Sequence, residues 1–233
     1  MAAADKVDPA ALEGIALFRG LTSDQLAAVA RRLRPLKVPA HRDIMMSDQP
    51  GEAVYIILSG TLKVHAEQPG GRDVVLSLLG PGQTVGEMSI IDNVGRSASV
   101  LALEDTTLLW MDRAGFLECL STIPAMAINL LRILSQRLRL ANAQIASLAT
   151  LDVYDRVARQ LLALADEYGR RDRDGETHIP LSLTQSDLAD TVGASRVRVN
   201  QVLMEFRQRG YISVDQGHHV TIRDPQSLRR RFS

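Results

Sequence analysis

Seven apolar residues, Ala127, Leu131, Leu134, Leu138, Ala141, Ile145 and Leu148, recur at alternating steps of four and three. That spacing holds one narrow apolar seam along a helix for three heptads, and it starts just behind Pro124. A broad core asks for a wider stripe. A seam this narrow suits a second helix, most simply the same helix of another copy of the chain. The expectation is a dimerisation helix over 124–150, with Leu130 and Leu140 serving the intrachain side; the alternative is an ordinary amphipathic helix packed on its own domain. In a chain of 233 residues this helix leaves room for one small domain on either side.

Ahead of the helix the texture changes. Leu12, Ile15, Ala16 and then Leu26, Val29, Ala30, Leu33 recur at helical spacing over 9–33, with Thr22-Ser23-Asp24 as a cap. Pro35 and Pro39 stop helix there. From Leu36 to Met111, short runs of Val, Ile, Leu and Thr alternate with turns. The runs are Val54–Leu58, Thr61–His65, Asp73–Leu79, Ser97–Leu103 and Thr107–Trp110. Gln49-Pro50-Gly51, Ser59-Gly60, Pro69-Gly70-Gly71 and Gly80-Pro81-Gly82 separate them. Strands at such spacing indicate an all-β barrel or roll. Behind the long helix come an amphipathic helix over Val153–Tyr168 and a polar loop over Gly169–His178. A bihelical unit and a hairpin of Tyr211–Val214 with His219–Ile222 follow. The fold class is α+β, in three parts: 1–123, 124–150 and 151–233.

Residues 184–203 carry the features of a helix–turn–helix. Ala189 is small enough for the helix crossing, and Gly193 tolerates positive φ in the turn. Leu188, Val192, Val199 and Val202 pack the helices together, and Ser195 caps the second one. At 100° per residue, Arg196, Val197, Asn200 and Gln201 then point outward. Arg matches guanine, and Asn or Gln matches adenine. Arg198 lies on the flank and suits a phosphate; Gln185 and Ser195 complete the expected DNA-binding set. Arg207, Arg209 and the Arg229-Arg230-Arg231 run add sequence-independent attraction, the run serving equally well as a solvated tail. The alternative is a helical hairpin that touches no DNA.

A second stretch, Gly80–Ala98, carries Gly86-Glu87 ahead of a short apolar turn, Met88–Ile91, and then Arg96-Ser97-Ala98. Free N–H groups at that turn suit an anion; Arg96 can pair with it bidentately and Ser97 can donate to it. An ionised Glu87 only accepts, so it suits a sugar hydroxyl. Together they make a site for one phosphate joined to one ribose. The alternative is a Glu87–Arg96 ion pair closing a loop.

Composition narrows the rest. Lys+Arg and Asp+Glu are both 27, which argues against a globally basic binder. The balance hides an acidic half, with 11 basic and 15 acidic residues over 1–124, and a basic half, with 16 and 12 over 125–233. The single cysteine, Cys119, allows no intramolecular disulfide and no four-thiolate metal site. The five histidines show no metal spacing, and Asp172–Glu176 lacks the oxygens of a calcium loop. Metal is therefore not expected. No Ser/His/Asp set or P-loop points to an enzyme. No apolar run approaches a membrane span, and the N-terminus lacks a basic start with an apolar stretch, so a cytoplasmic protein without membrane contact is expected.

A β-roll, a heptad helix and a C-terminal winged helix–turn–helix, in that order, resemble the cyclic-AMP receptor/fumarate–nitrate-reduction regulator family of bacterial transcription factors over about residues 12–225. Gly86-Glu87, eight residues, then Arg96-Ser97-Ala98 resembles its phosphate-binding cassette. Thr184–Met204 resembles its DNA-binding motif, and Leu148–Arg156 its hinge. The resemblance implies a homodimer that reads a palindromic duplex, answers to a cyclic nucleotide, most simply cAMP, and works with RNA polymerase. It implies that Arg96 and Ser97 hold the cyclic phosphate and that Glu87 and the Gly86 backbone hold the ribose. Val85 and Met88 would line the pocket, and Gly169–His178 would touch the polymerase. The adenine-contacting Thr and Ser of the cyclic-AMP receptor fall here at Ala141 and Asn142; Asn142 can still meet an adenine edge. Arg196 matches the guanine-reading Arg. Val197 stands where Glu is usual, and Gln201 replaces a later Arg. The alternative within the family is a regulator that binds DNA without nucleotide or answers to another effector.

Overall fold

The computed structural model describes residues 7–67 and 73–230, so the turn at Pro69-Gly70-Gly71 and Arg231 lie outside the described residues. The chain divides into two compact units. The first joins Met1–Ala66 to Leu78–Leu140, and the second joins Glu67–Ser77 to Ala141–Ser233. Among the described residues no single helix is long and apolar enough to cross a membrane.

In the first unit the segment expected to be helical over 9–33 forms two 3-10 turns, Pro9–Leu12 and Ala16–Phe18, and one α-helix, α1 (Ser23–Ala30). Gly14 and Gly20, at φ +87° and +77°, leave the helical region between them. α1 starts at a capping box. Thr22 Oγ1 accepts from the Gln25 N–H, and Gln25 Oε1 accepts from the Thr22 N–H. The strands are β1 (Arg34–Val38), β2 (Asp43–Met45), β3 (Ala53–Ser59), β4 (Leu62–Ala66), β5 (Val74–Leu79), of which only Leu78 and Leu79 fall in this unit, and β6 (Thr84–Val85). After one helical turn, α2 (Met88–Ile91), come β7 (Ser99–Ala102), β8 (Thr106–Asp112) and α3 (Arg113–Thr122).

The strands form two four-stranded sheets, β1-β8-β3-β6 and β2-β7-β4-β5. Val38, Ile57, Leu62, Val85, Val100 and Leu108 pack in one buried cluster with contributions from both sheets. No helix reaches Pro35, as expected. The proline sits inside β1, opposite Leu109, because β1 is an edge strand and needs no N–H from it on the open side. A second cluster joins Leu12, Phe18, Val29, Val54, Leu109 and Phe116 to Met126 and Leu130.

Met126 and Leu130 belong to α4 (Pro124–Thr150), an uninterrupted helix of 27 residues. Asn129 fastens the same face, donating from Nδ2 to Leu17 O (3.1 Å) and Arg19 O (2.7 Å). The heptad seam is largely open: Leu131, Leu138, Ala141, Ile145 and Leu148 are exposed and Ala127 is half-buried. Leu134 of the seam is half-buried, packing partly against the core of its own unit. Leu140 departs from expectation. It is 44% exposed, so of the two residues expected on the intrachain side only Leu130 packs there, beside Met126 and Leu134.

The second unit contains α5 (Val153–Tyr168), β9 (Arg170–Arg171), β10 (Thr177–Ile179), α6 (Gln185–Val192) and α7 (Arg196–Gln208). It ends with β11 (Ile212–Val214), β12 (Val220–Ile222) and α8 (Pro225–Arg229). The expected loop over Gly169–His178 is instead a hairpin of β9 and β10, and β10 also pairs with β12. The result is a four-stranded wing in the order β11-β12-β10-β9. Leu161, Leu188, Val199, Val202 and Phe206 fill the core beneath it. Phe206 is fully buried and meets Tyr154 edge-to-face at 4.6 Å. Phe206→Ala is expected to destabilise this unit by about 3–5 kcal/mol, read as a lower urea midpoint for its unfolding.

Candidate functional site

The cassette of the first unit is built around a glycine. Gly86 has φ +90°, and a Cβ there would lie 2.6 Å from Arg96 Nη1 and 2.9 Å from Ala53 O. Only a residue without a side chain lets the backbone turn against the guanidinium. Arg96 is buried. Its Nη1 donates to Gly86 O (2.7 Å) and Ser89 Oγ (2.8 Å), and its Nη2 to Ala53 O (2.7 Å). Burial pulls the pKa of Arg96 below its ordinary value, and Tyr55, Glu87 and Glu52 offset part of that. Of the five N–H donors of a guanidinium, these bonds leave one on Nε and one on Nη2.

Glu87 does not close a loop with Arg96. It is 2% exposed, and its Oε1 accepts from Arg137 Nη1 of α4 at 2.7 Å. Arg137 Nη2 also donates to Gln83 Oε1 and Thr84 O. Glu87 Oε2, Thr84 Oγ1 and Arg137 Nε are buried there without a partner. Unpaired buried polar atoms are costly, and a polar group placed among these could satisfy them. Among Arg96, Arg137 and Glu87 there is one positive charge in excess. The set can hold an anion beside a hydroxyl group.

The other expected ligand residues are placed as follows. Ser97 is exposed at the end of the cassette, and Met88 is exposed on α2. The Val85 side chain packs in the cluster with Ile57 and Leu108, so it supports the cassette from within the core. α2 is a single turn. Ala141 and Asn142 are exposed on the part of α4 that belongs to the second unit. Arg137 was missed by sequence reasoning. It lies off the apolar seam, and nothing local marks a partner 50 residues away.

In the second unit Thr184 caps α6, its Oγ1 accepting from Asp187 N–H (3.1 Å). Gly193 ends α6 in the left-handed region at φ +62°. Ser195 Oγ accepts from Arg198 N–H and starts α7. Ala189, Leu188, Val192, Val199 and Val202 are buried between the helices, as their spacing requires. Arg196, Val197, Arg198 and Gln201 are exposed, and Asn200 and Gln185 are half-buried. Arg198 does not stand alone on the flank: its Nη1 donates to Gln201 Oε1 at 3.3 Å. Met204 is exposed on the same face and was not expected there, although its phase between Asn200 and Val197 marks it. The turn is held from α4 and the hinge. Gln144 Nε2 donates to Thr191 O (2.9 Å), and Arg156 donates to Leu151 O (3.1 Å) and Gly193 O (3.4 Å).

Residues 35–122 match the family model of the cyclic nucleotide-binding domain, and 155–231 match that of the Crp-like helix-turn-helix domain. The chain is 36% identical over 215 residues to the CRP-like cAMP-activated global transcriptional regulator of Mycobacterium tuberculosis, covering 92% of this chain and 95% of that one. It is 32% identical over 206 residues to the Cyclic AMP receptor protein of Thermus thermophilus, covering 88% and 92%. The structure of FixK2 from Bradyrhizobium japonicum has the same fold, with a TM-score of 0.74 over 85% of this chain and 96% of that one at 20% identity. With a cyclic nucleotide-binding cassette ahead of a DNA-binding helix–turn–helix, the chain belongs to the CRP/FNR family of transcription regulators.

Proposed function

We propose that the chain is a homodimeric, sequence-specific transcription regulator of the cytoplasm, gated by cAMP held in the Gly86–Ser97 cassette, and not an enzyme. One observation supports this most: buried Glu87 Oε2 and Thr84 Oγ1 lie unpartnered in a cassette whose arginine keeps two donors in reserve. A cyclic nucleotide supplies a phosphate anion and a ribose hydroxyl, the two groups these atoms suit. Arg96 holds the phosphate through Nε and Nη2, and Ser97 adds its hydroxyl. Glu87 Oε2 accepts from the ribose hydroxyl, with the Gly86 backbone beside it.

Arg137 gives the pocket a grip on α4. Its ion pair with Glu87 makes the helix sensitive to where that carboxylate rests. Two copies of α4 meet along the open seam from Ala127 to Leu148, and a ligand that prefers one arrangement of the pair shifts both DNA-reading units. Moving from 1:99 to 99:1 needs about 5.5 kcal/mol of differential affinity. The two α7 helices then read two half-sites of a palindromic duplex, related by the two-fold axis. Arg196 takes guanine, with Asn200 and Gln201 beside it; Gln185, Ser195 and Arg198 hold the backbone. The β9–β10 hairpin, charged and exposed at Asp172–Asp174, is the contact offered to RNA polymerase.

A second reading keeps the fold and changes the effector. It rests on Ala141, whose side chain has nothing to offer an adenine edge. Calorimetric titration with cAMP, paired with operator binding with and without it, decides between them. Tight cAMP binding that raises operator affinity supports the first reading; no binding, with operator affinity intact, supports the second.

Arg96→Ala is expected to abolish nucleotide-dependent operator binding while sedimentation still shows a dimer; a retained response removes the cassette assignment. Gly86→Ala forces a positive φ on alanine and pushes against Arg96, so calorimetry should show nucleotide affinity reduced about tenfold or more. Arg196→Ala should lose guanine preference at one position of each half-site, at about 1–3 kcal/mol, in competition against substituted duplexes.

A further inference from the structure

The reading face of α7 contains apolar side chains that folding does not use. Val197 is 68% exposed and Met204 49%, whereas Val199, Val202, Leu203 and Phe206 fill the core on the other side. Seven residues at 100° each bring Val197 and Met204 to within about 20° of one line along the helix, with Gln201 one turn from Val197. Gln201 is not symmetric in what it can offer. Arg198 Nη1 donates to its Oε1 at 3.3 Å, which leaves the two N–H groups of its amide nitrogen to donate to another partner.

An exposed methyl-bearing side chain next to an amide donor matches one base edge. Thymine presents a C5 methyl and an O4 acceptor side by side in the major groove. Cytosine presents an amino donor that would face the Gln201 donors, and it has no methyl group. Guanine presents acceptors without a methyl. Adenine presents an N7 acceptor and an amino donor but no methyl group for Val197 to meet.

We propose that Val197 and Gln201 form a thymine-reading pair beside the Arg196 contact, with Val197 packing on the C5 methyl and Gln201 Nε2 donating to O4. This rests on α7 being the DNA-reading helix, as proposed above. The chain therefore distinguishes thymine from unmethylated pyrimidines by the methyl group itself, at a position where Glu would select cytosine.

The test uses the full-length protein, with and without cAMP. Half-sites are first selected from randomised duplexes. Thymine in the selected sequence is then replaced, in both half-sites, by deoxyuridine, cytosine or 5-methylcytosine. At one thymine position deoxyuridine should weaken binding about tenfold over the two half-sites, the loss of two buried methyl groups. Cytosine should weaken it further, and 5-methylcytosine should recover part of that loss. Val197→Ser should bind thymine and deoxyuridine duplexes equally, and the solvent-exposed position leaves folding unaffected. Equal affinity of the wild-type protein for thymine and deoxyuridine at every position overturns the pair while leaving DNA reading intact. Failure to enrich any duplex sequence overturns the DNA-reading assignment beneath it.

Discussion

The ion pair between Glu87 and Arg137 is the contact on which the rest depends. A carboxylate that is 2% exposed needs a cation, because burying a charge alone costs several kcal/mol. Its cation comes from a helix, while the carboxylate itself follows the glycine of the cassette. One oxygen is thereby satisfied and the other is left bare. A structural ion pair would gain by saturating both. Leaving one open keeps stability below its maximum at the place where a hydroxyl would be recognised.

Arg96 follows the same logic. Its three hydrogen bonds to Gly86, Ser89 and Ala53 fix the plane of the guanidinium. The cost of desolvating it is met by protein carbonyls and a hydroxyl rather than by a carboxylate, so its charge is not neutralised in place. The two sheets matter chiefly as a rigid frame for this arrangement: Ala53 begins β3, and Val85 anchors the cassette in the core. In the second unit, rigidity is supplied differently. Left-handed Gly193, the Ser195 cap and the buried Val199, Val202 and Phe206 fix the axis of α7, leaving its other face unconstrained.

Features set by local periodicity or by a single backbone requirement were legible in the sequence. The long helix behind Pro124, the crossing at Ala189, the turn at Gly193 and the strands β3, β4, β5, β7 and β8 all fall in that class. The cassette was legible as a spacing of residue types. What failed was non-local. Pro35 was read only as an end to helix, and the strand around it appears once β8 is alongside its edge. α3 went unnoticed because Gly115 sits in its first turn and its buried stripe of Gly115, Phe116 and Cys119 is short; the cap from Asp112 and packing against the core outweigh propensity. The residues from Gly169 to His178 are polar, and only the pairing with β12 makes them sheet. Arg137 and Gln144 gave no signal at all, since each finds its partner about fifty residues away in sequence.

Leu131, Leu138, Ile145 and Leu148 leave an aliphatic ribbon uncovered on α4, about 26 Å long at 1.5 Å per residue. Were another copy the cover, abundance and folding would cease to be separate quantities, because mass action would enter the stability of every molecule. A cell holding few copies would then hold a smaller fraction in the competent form, and expression level would itself become an input alongside any small effector.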